Sequence, residues 1–226
     1  MNLTLFDLDG TLIDIDSDHA FGEFMVAIGW ADREAFQRRN DAFYEDYQAA
    51  RLDIDAYMDF ATAPWRTRPE VEALAMRERF MREVMRPAID ARALALVRHH
   101  QAEGDVLAIV TATNEFITRP IADALGVADL IAVELARDDN GGVTGALRGV
   151  PSFREGKVAR VEQWLAGLGR RHADFTRVTV YSDSTNDLPL LEWATHPVAT
   201  NPGPELAAIA RERGWPLLNL FKEEQP

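Results

Sequence analysis

The chain of 226 residues carries 37 acidic and 24 basic side chains, a formal net charge of −13, and no cysteine. Such a surface repels nucleic-acid phosphates and anionic lipid, and the missing thiols exclude disulfides and thiolate metal sites. Apolar residues make up 47%, enough for one large domain or for a core with an inserted subdomain.

The N-terminal segment lacks a basic region and meets an acid at Asp7, unlike a signal peptide. Apolar runs all fall well short of the roughly 18 residues a membrane span needs. A soluble, cytoplasmic protein is the expectation, with no nucleic-acid or membrane partner.

The first apolar run, Leu3 to Phe6, reads as a buried strand and stops at Asp7-Leu8-Asp9-Gly10-Thr11-Leu12. Carboxylates at i and i+2 on extended chain point to the same side. Gly10 permits a sharp turn there. Two acids so close repel unless a cation sits between them. Phosphoryl transfer uses such a pair, with one carboxylate as nucleophile beside Mg²⁺ and the other as general acid, then base.

From about Ser17 to Met85 the pattern changes. Phe21, Phe24, Met25 and Ile28 recur at helical spacing, as do Tyr57, Phe60 and Ala61, predicting an insert of about four helices. Pro87 is expected to mark the return to the core.

Val106 to Val110 predicts a second buried strand ending at Thr111, whose hydroxyl and following backbone N–H groups, that of Ala112 first, could hold a phosphate oxygen. Glu115 to Leu125 reads as a helix, and Asp138 to Gly142 as a turn leading into a strand over Val143 to Leu147. Ser152-Phe153-Arg154-Glu155 has the form of a capping box, which would put Lys157 in the second turn of a helix over Phe153 to Leu168. Lys157 and Lys222 are the only lysines, and a lysine supplies a point charge for phosphate. Val178 to Tyr181 predicts a third strand, ending in Ser182-Asp183-Ser184-Thr185-Asn186-Asp187. Asp183 is a candidate Mg²⁺ ligand, Asp187 a further or outer ligand, and Asn186 a donor to phosphate or to a metal-bound water. A helix over Leu188 to Ala194 and a strand over Pro197 to Thr200 follow. Strands alternating with helices imply a parallel α/β sheet whose chemistry gathers at the strands' carboxyl ends.

These four sites, in this order, resemble the haloacid dehalogenase superfamily. The phrases Tyr181 to Leu191 and Arg211 to Pro216 look like its phosphoserine-phosphatase-like subgroup. The resemblance implies a Rossmann-like three-layer αβα core over residues 1–15 and 87–226, with a helical-bundle cap over 16–86. It implies that Asp7 attacks phosphorus and becomes an aspartyl-phosphate, while Asp9 serves as acid and base. Mg²⁺ would be held by Asp7, the backbone carbonyl of Asp9, and Asp183. Thr111 and Lys157 would hold the phosphoryl oxygens, with Lys157 also restraining Asp7. The implied activity is hydrolysis of a small phosphorylated metabolite. The alternatives are a phosphotransferase with an alcohol acceptor and, more remotely, a phospho-receiver module, against which Asp9 and the insert argue.

The chain departs from phosphoserine phosphatases at Ala112 and Thr113, where two glycines are usual. It has no arginine near Asp59 to Ala61, where the subgroup reads the amino acid. Asp16 stands as a possible substitute for the cap glutamate and Trp65 as a possible pocket wall. Arg51, Arg66 or Arg68 could replace the missing arginine in space. The acids Asp14, Asp16 and Asp18 could meet an ammonium, as in histidinol phosphate.

Overall fold

The computed structural model describes residues 1–49 and 51–221; Lys222 lies outside them. Six parallel strands form one sheet in the order β3-β2-β1-β6-β7-β8. These are β1 (Asn2–Phe6), β2 (Val106–Asn114), β3 (Asp129–Val133), β6 (Arg177–Ser182), β7 (His196–Thr200) and β8 (Leu217–Leu218). A separate hairpin pairs β4 (Leu135–Arg137) with β5 (Val143–Leu147) in antiparallel sense, and the predicted turn Asp138 to Gly142 joins them.

Alternation along the strands makes two cores. Leu3, Leu5, Val178 and Val180 face one side, packed under α8 (Glu155–Gly167), α9 (Leu188–Trp193) and α10 (Pro204–Arg213). Phe6, Ile109 and Tyr181 face the other, under α6 (Ala91–Ala102) and α7 (Glu115–Leu125). The result is the expected three-layer arrangement. No helix among the described residues is long and apolar enough to cross a membrane.

The insert follows β1 as α1 (Ser17–Ala27), α2 (Arg33–Gln48), α3 (Ile54–Arg66) and α4 (Glu70–Phe80). Aspartates start three of these helices: Asp16, Asp32 and Asp53 each accept from a backbone N–H in the first turn, satisfying donors that lack an intrahelical partner. Phe21, Phe24, Met58 and Phe80 are buried, and the Phe21 and Phe80 rings meet edge to face at 4.9 Å. The insert's apolar stripe therefore merges with the core on the α7 side of the sheet.

Three expectations need correction. Pro87 does not break the chain. α4 runs through a π-turn (Met81–Met85) into one more turn, α5 (Arg86–Ala88), and the break comes at Ile89, after which Asp90 caps α6. Proline is tolerated there because it sits in the first turn of its segment. β2 does not stop at Thr111 but continues to Asn114, with its register to β3 shifted between Val110 and Asn114. The capping box does not form either. Ser152 is fully buried and donates instead to the Ile131 carbonyl at 3.2 Å. Arg154 occupies the cap position at φ 50° with no side-chain cap bond. Lys157 thus lies in the first turn of α8.

Candidate active site

The parallel register sets the ends of β1, β2 and β6 side by side: Phe6 pairs with Ile109 on one flank and Tyr181 on the other. Asp7 continues β1, its N–H bonding to the Tyr181 carbonyl at 2.9 Å. Asp183 stands just past the end of β6, and Thr111 within β2. Thr113, two residues further along the same strand, shares the side of Thr111 and reaches Asp9.

The centre of the site is a buried ion-pair chain. Lys157 Nζ donates to Asp7 Oδ1 at 2.9 Å and to Asp187 Oδ2 at 2.7 Å. Lys157 and Asp187 are each 1% exposed and Asp7 is 4% exposed. Ser182 Oγ adds a 2.8 Å hydrogen bond to Asp187. Burial alone would lower the Lys157 pKa, but the charges of Asp187 and Asp7 more than offset this and hold it above its ordinary value. The ammonium stays charged, aimed at the carboxylate that ends β1.

Asp9 is held differently. The Ser17 backbone N–H donates to its Oδ1 at 2.7 Å and the Thr113 hydroxyl to its Oδ2 at 2.9 Å. Burial, then the charges of Asp16 and Asp7, raise its carboxyl to about 7, against hydrogen bonds from Ser17 that act the other way. Two neighbouring aspartates are thus separated by environment. Asp7 has a lysine partner, while Asp9 has only dipoles and can carry a proton near neutral pH.

Asp183 is fixed by Thr11, whose hydroxyl donates to Oδ1 at 3.1 Å and accepts from the Asp183 N–H at 3.1 Å. A side chain at position 10 would run into this carboxylate, and Gly10 has φ +72°, so glycine is required twice over. Burial, then the charges of Asp7 and Asp187, push the Asp183 carboxyl well above its usual range. One lysine does not neutralise three carboxylates, and a divalent cation would supply the missing charge. Among the described residues no three acidic or histidine side chains form a metal cage. Two carboxylates and a backbone carbonyl nevertheless suit Mg²⁺, which commonly keeps several waters.

Asn186 does not point freely into the site. Its Nδ2 donates to the Tyr47 carbonyl of the insert at 2.9 Å, and its Oδ1 accepts from Arg154 Nε at 3.3 Å. It ties the insert to the core. Asn201, just after β7, bridges the loop after β1. Its Nδ2 donates to the Gly10 carbonyl at 2.8 Å and its Oδ1 accepts from Leu220 N–H at 2.6 Å. Thr11, Thr113 and Asn201 were missed as site residues. Their partners are far away in sequence, and only the strand-end position of Thr111-Ala112-Thr113 hinted at one of them.

A cavity of about 40 Å³ adjoins Asp7, Asp9, Thr111 and Ala112. The insert closes it with Asp16, Asp18, His19 and the aromatic rings of Phe43, Tyr47 and Tyr57. Asp16 spends one oxygen capping α1, accepting from Asp18 N–H at 3.0 Å and His19 N–H at 2.8 Å. Asp18 is buried, and burial followed by the charges of Asp16 and Asp9 raises its carboxyl well above the usual range. Trp65 does not line this space. It is buried against Phe116, ring centroids 4.0 Å apart, beside a different cavity. Arg51, Arg66 and Arg68 are also absent from the walls: Arg51 pairs with Asp46, Arg66 with Asp59, and Arg68 stacks over Trp30.

Comparison with known proteins agrees with this geometry. A histidinol-phosphatase from Neisseria meningitidis serogroup C (strain 8013) is 41% identical over 219 residues, covering 97% of this chain and 99% of that protein. The crystal structure of a protein of unknown function from Bordetella pertussis Tohama I superposes with a TM-score of 0.91 at 47% identity, over 97% of this chain and 99% of that one. A substrate-bound phosphoserine phosphatase shares the fold at a TM-score of 0.67 and 16% identity, over 96% and 91% of the two chains. The profile of haloacid dehalogenase-like hydrolases matches residues 4–192, and the chain belongs to that family.

Proposed function

We propose that this chain is a Mg²⁺-dependent phosphatase that hydrolyses a small phosphate monoester, with Asp7 as nucleophile and Asp9 as acid and base. The observation that carries this reading is the contrast between the two aspartates: Asp7 locked to a buried Lys157, Asp9 held by Thr113 and Ser17 with a raised pKa. An Asp7 carboxylate oxygen attacks phosphorus and the P–O bond to the alcohol breaks. Asp9 gives its proton to the departing oxygen. Water then attacks phosphorus, Asp9 takes a proton from it, and the aspartyl P–O bond breaks to release phosphate. Thr111 with the Ala112 N–H, and Lys157, would orient and neutralise the phosphoryl oxygens. Asp7, the Asp9 carbonyl and Asp183 would hold Mg²⁺, which supplies charge stabilisation at the phosphoryl group when bound.

Residues 16–86 would act as a cap over a core of 1–15 and 87–226. The cavity beside Asp7, about 40 Å³, has room for roughly one water. A wider space of about 430 Å³, lined by Asp9, Gly10, Asp16, Tyr47 and Asp183, reaches the site carboxylates Asp9 and Asp183, so a small substrate can approach there. Seating in the inner cavity needs the insert to move outward, and closure excludes water from the first transfer. The walls favour a cation. Asp16 and Asp18 face the cavity and no arginine does, so an ammonium fits and an amino-acid carboxylate does not. A phosphorylated amino alcohol such as histidinol phosphate matches this, in line with the name of the Neisseria relative.

The test is phosphate release from a panel of histidinol phosphate, phosphoserine, sugar phosphates and a nitrophenyl ester. Release is expected with Mg²⁺, to be fastest with histidinol phosphate, and to stop with EDTA. An acceptor alcohol added in excess should leave the phosphate yield unchanged; transfer to it would identify a phosphotransferase instead. In the Asp9→Asn protein turnover should fall by roughly 10²–10⁴-fold, the usual worth of a general acid-base group, and acid-quenched enzyme should retain labelled phosphate. Unchanged turnover in that variant would remove Asp9 from the mechanism.

A further inference from the structure

One sizeable cavity lies away from the catalytic carboxylates. A space of about 530 Å³ lies on the seam between insert and core, and it shares no lining residue with the cavity beside Asp7. Its walls come from the end of α3 and from α4 on the insert side, and from α7 and the β4–β5 hairpin on the core side.

Two features mark it as more than a gap. The first is charge. In a chain of net charge −13, five arginines line this one space, Arg66, Arg68, Arg77, Arg119 and Arg137, against two glutamates, Glu70 and Glu115. Arg66, Arg77 and Arg119 have carboxylate neighbours in Asp59, Glu78 and Asp123. Arg68 donates only to the Pro64 carbonyl and stacks over Trp30, and Arg137 donates to the Gly141 carbonyl. Neither makes a close ion pair among the described residues, although the charge of Arg137 reaches Glu115 across the cavity, so both guanidinium forks keep donors free of a carboxylate. The second feature is unmet hydrogen bonding. Trp65 Nε1, Arg77 Nε and Arg119 Nε are closed off from solvent without a partner, and all three residues line the cavity. Buried donors are nearly always satisfied, so the wall is under-satisfied here, although atoms without exposed surface meet a ligand only if the wall shifts. Between the charges lies the half-buried Phe116 ring, stacked on the buried Trp65 and with the Arg77 guanidinium 4.9 Å from its centroid.

We propose that this seam is a second binding site, for a small organic anion that carries a phosphate, phosphonate or carboxylate group on a flat apolar body. The guanidinium forks of Arg68 and Arg137 take the acidic group, and Phe116 with Leu74 and Leu130 takes the body, beside the buried Trp65 indole. Planar forks suit such oxyanions bidentately. The cavity volume is that of an ordinary small-molecule site. A bound anion would touch the insert and the core together.

The probe is benzylphosphonate, which has both features and cannot be hydrolysed, titrated without Mg²⁺ into ¹⁵N-labelled protein. The chain has five tryptophans, and Trp65→Phe assigns the Trp65 indole resonance. That resonance should shift saturably at roughly 1 mM probe, an ordinary strength for a small ligand. In the Arg68→Gln/Arg137→Gln double variant affinity should fall roughly tenfold or more, the loss expected when charged donors are removed. In Thr111→Val it should be unchanged. If the double variant does not fold, Arg137→Gln alone, at an exposed position, gives the same comparison. An unmoved Trp65 resonance, full affinity without the arginines, or affinity lost in Thr111→Val would each overturn the proposal. The last would place the phosphonate beside Asp7. Phosphatase activity enters none of these readouts, so the catalytic reading stands or falls separately.

Discussion

The Asp7→Asn protein is expected to release no measurable phosphate from any ester while keeping the wild-type fold. The substitution is isosteric, and the amide oxygen can still accept from Lys157, whose second partner, Asp187 at 2.7 Å, is untouched. Stability should therefore change little. The nucleophile, however, is gone. An amide oxygen is a poor nucleophile and cannot form the anhydride-like acyl phosphate from which water later takes the phosphoryl group. Removing the nucleophile of a covalent hydrolase costs on the order of 10⁵–10⁶-fold in turnover, far more than the acid-base partner is worth. The two variants also differ in kind. Acid-quenched Asp9→Asn enzyme should carry phosphate on protein, because attack by Asp7 survives and hydrolysis stalls. Asp7→Asn enzyme should carry none. The measurement is phosphate release alongside trapped phosphoprotein for both variants, with circular dichroism as the check on folding. Turnover of the Asp7→Asn protein within about tenfold of wild type would remove Asp7 from the chemistry, leaving a water held by the site as the attacking group.

The parts of the site that were legible in the sequence share a cause. Asp7 and Asp183 each follow a short buried strand, Thr111 ends the apolar run of another, and a parallel sheet brings such positions to one edge. Lys157 was legible for a different reason, as one of two lysines in an arginine-rich chain. Its helix start was misread because Ser152 and Glu155 have capping-box spacing, whereas the Ser152 hydroxyl is drawn to a β3 carbonyl by tertiary packing. Thr113 was hidden because the strand was read as stopping at Thr111. β2 runs on to Asn114, and regular alternation then puts Thr111 and Thr113, at i and i+2, on the same side. Asn201 was hidden by distance, 191 residues from the Gly10 carbonyl that it holds. The seam arginines come from four places in the chain, Arg66 with Arg68, then Arg77, Arg119 and Arg137, and only the fold gathers them. Trp65 was read as a possible wall of the substrate pocket, but its ring is buried against Phe116 away from Asp7. Aromatic character is readable in a sequence, but the space that a ring will face is not.

Lys157→Met should unfold the protein several degrees early and abolish turnover as well. Methionine fills much of the same volume, so the loss is electrostatic. Asp7 and Asp187, both almost fully buried, would face each other without the ammonium between them. Removing one partner of a buried ion pair costs about 3–5 kcal/mol, and in a chain of this size each kcal/mol shifts the melting temperature by about 2–4 °C. The sign of the pH dependence separates this cause from lost packing. Without the lysine, burial and mutual repulsion raise the carboxyl pKa values above their unfolded values. Charging them then penalises the folded state at neutral pH, and the penalty is relieved as pH falls and one carboxyl takes a proton. In wild type the lysine pKa is raised, so its stabilising contribution is complete below the unfolded lysine value near 10 and fades only in alkali. Burial already holds Asp187 at about 6 against the lysine charge, so wild type gains on acidification only around and below that value. The stability gap between wild type and Lys157→Met, measured by thermal unfolding in EDTA, should therefore narrow from pH 8 toward about pH 6. A gap that stayed constant over that range would assign the lysine to packing and take away the electrostatic account of how Asp7 is held in its attacking form.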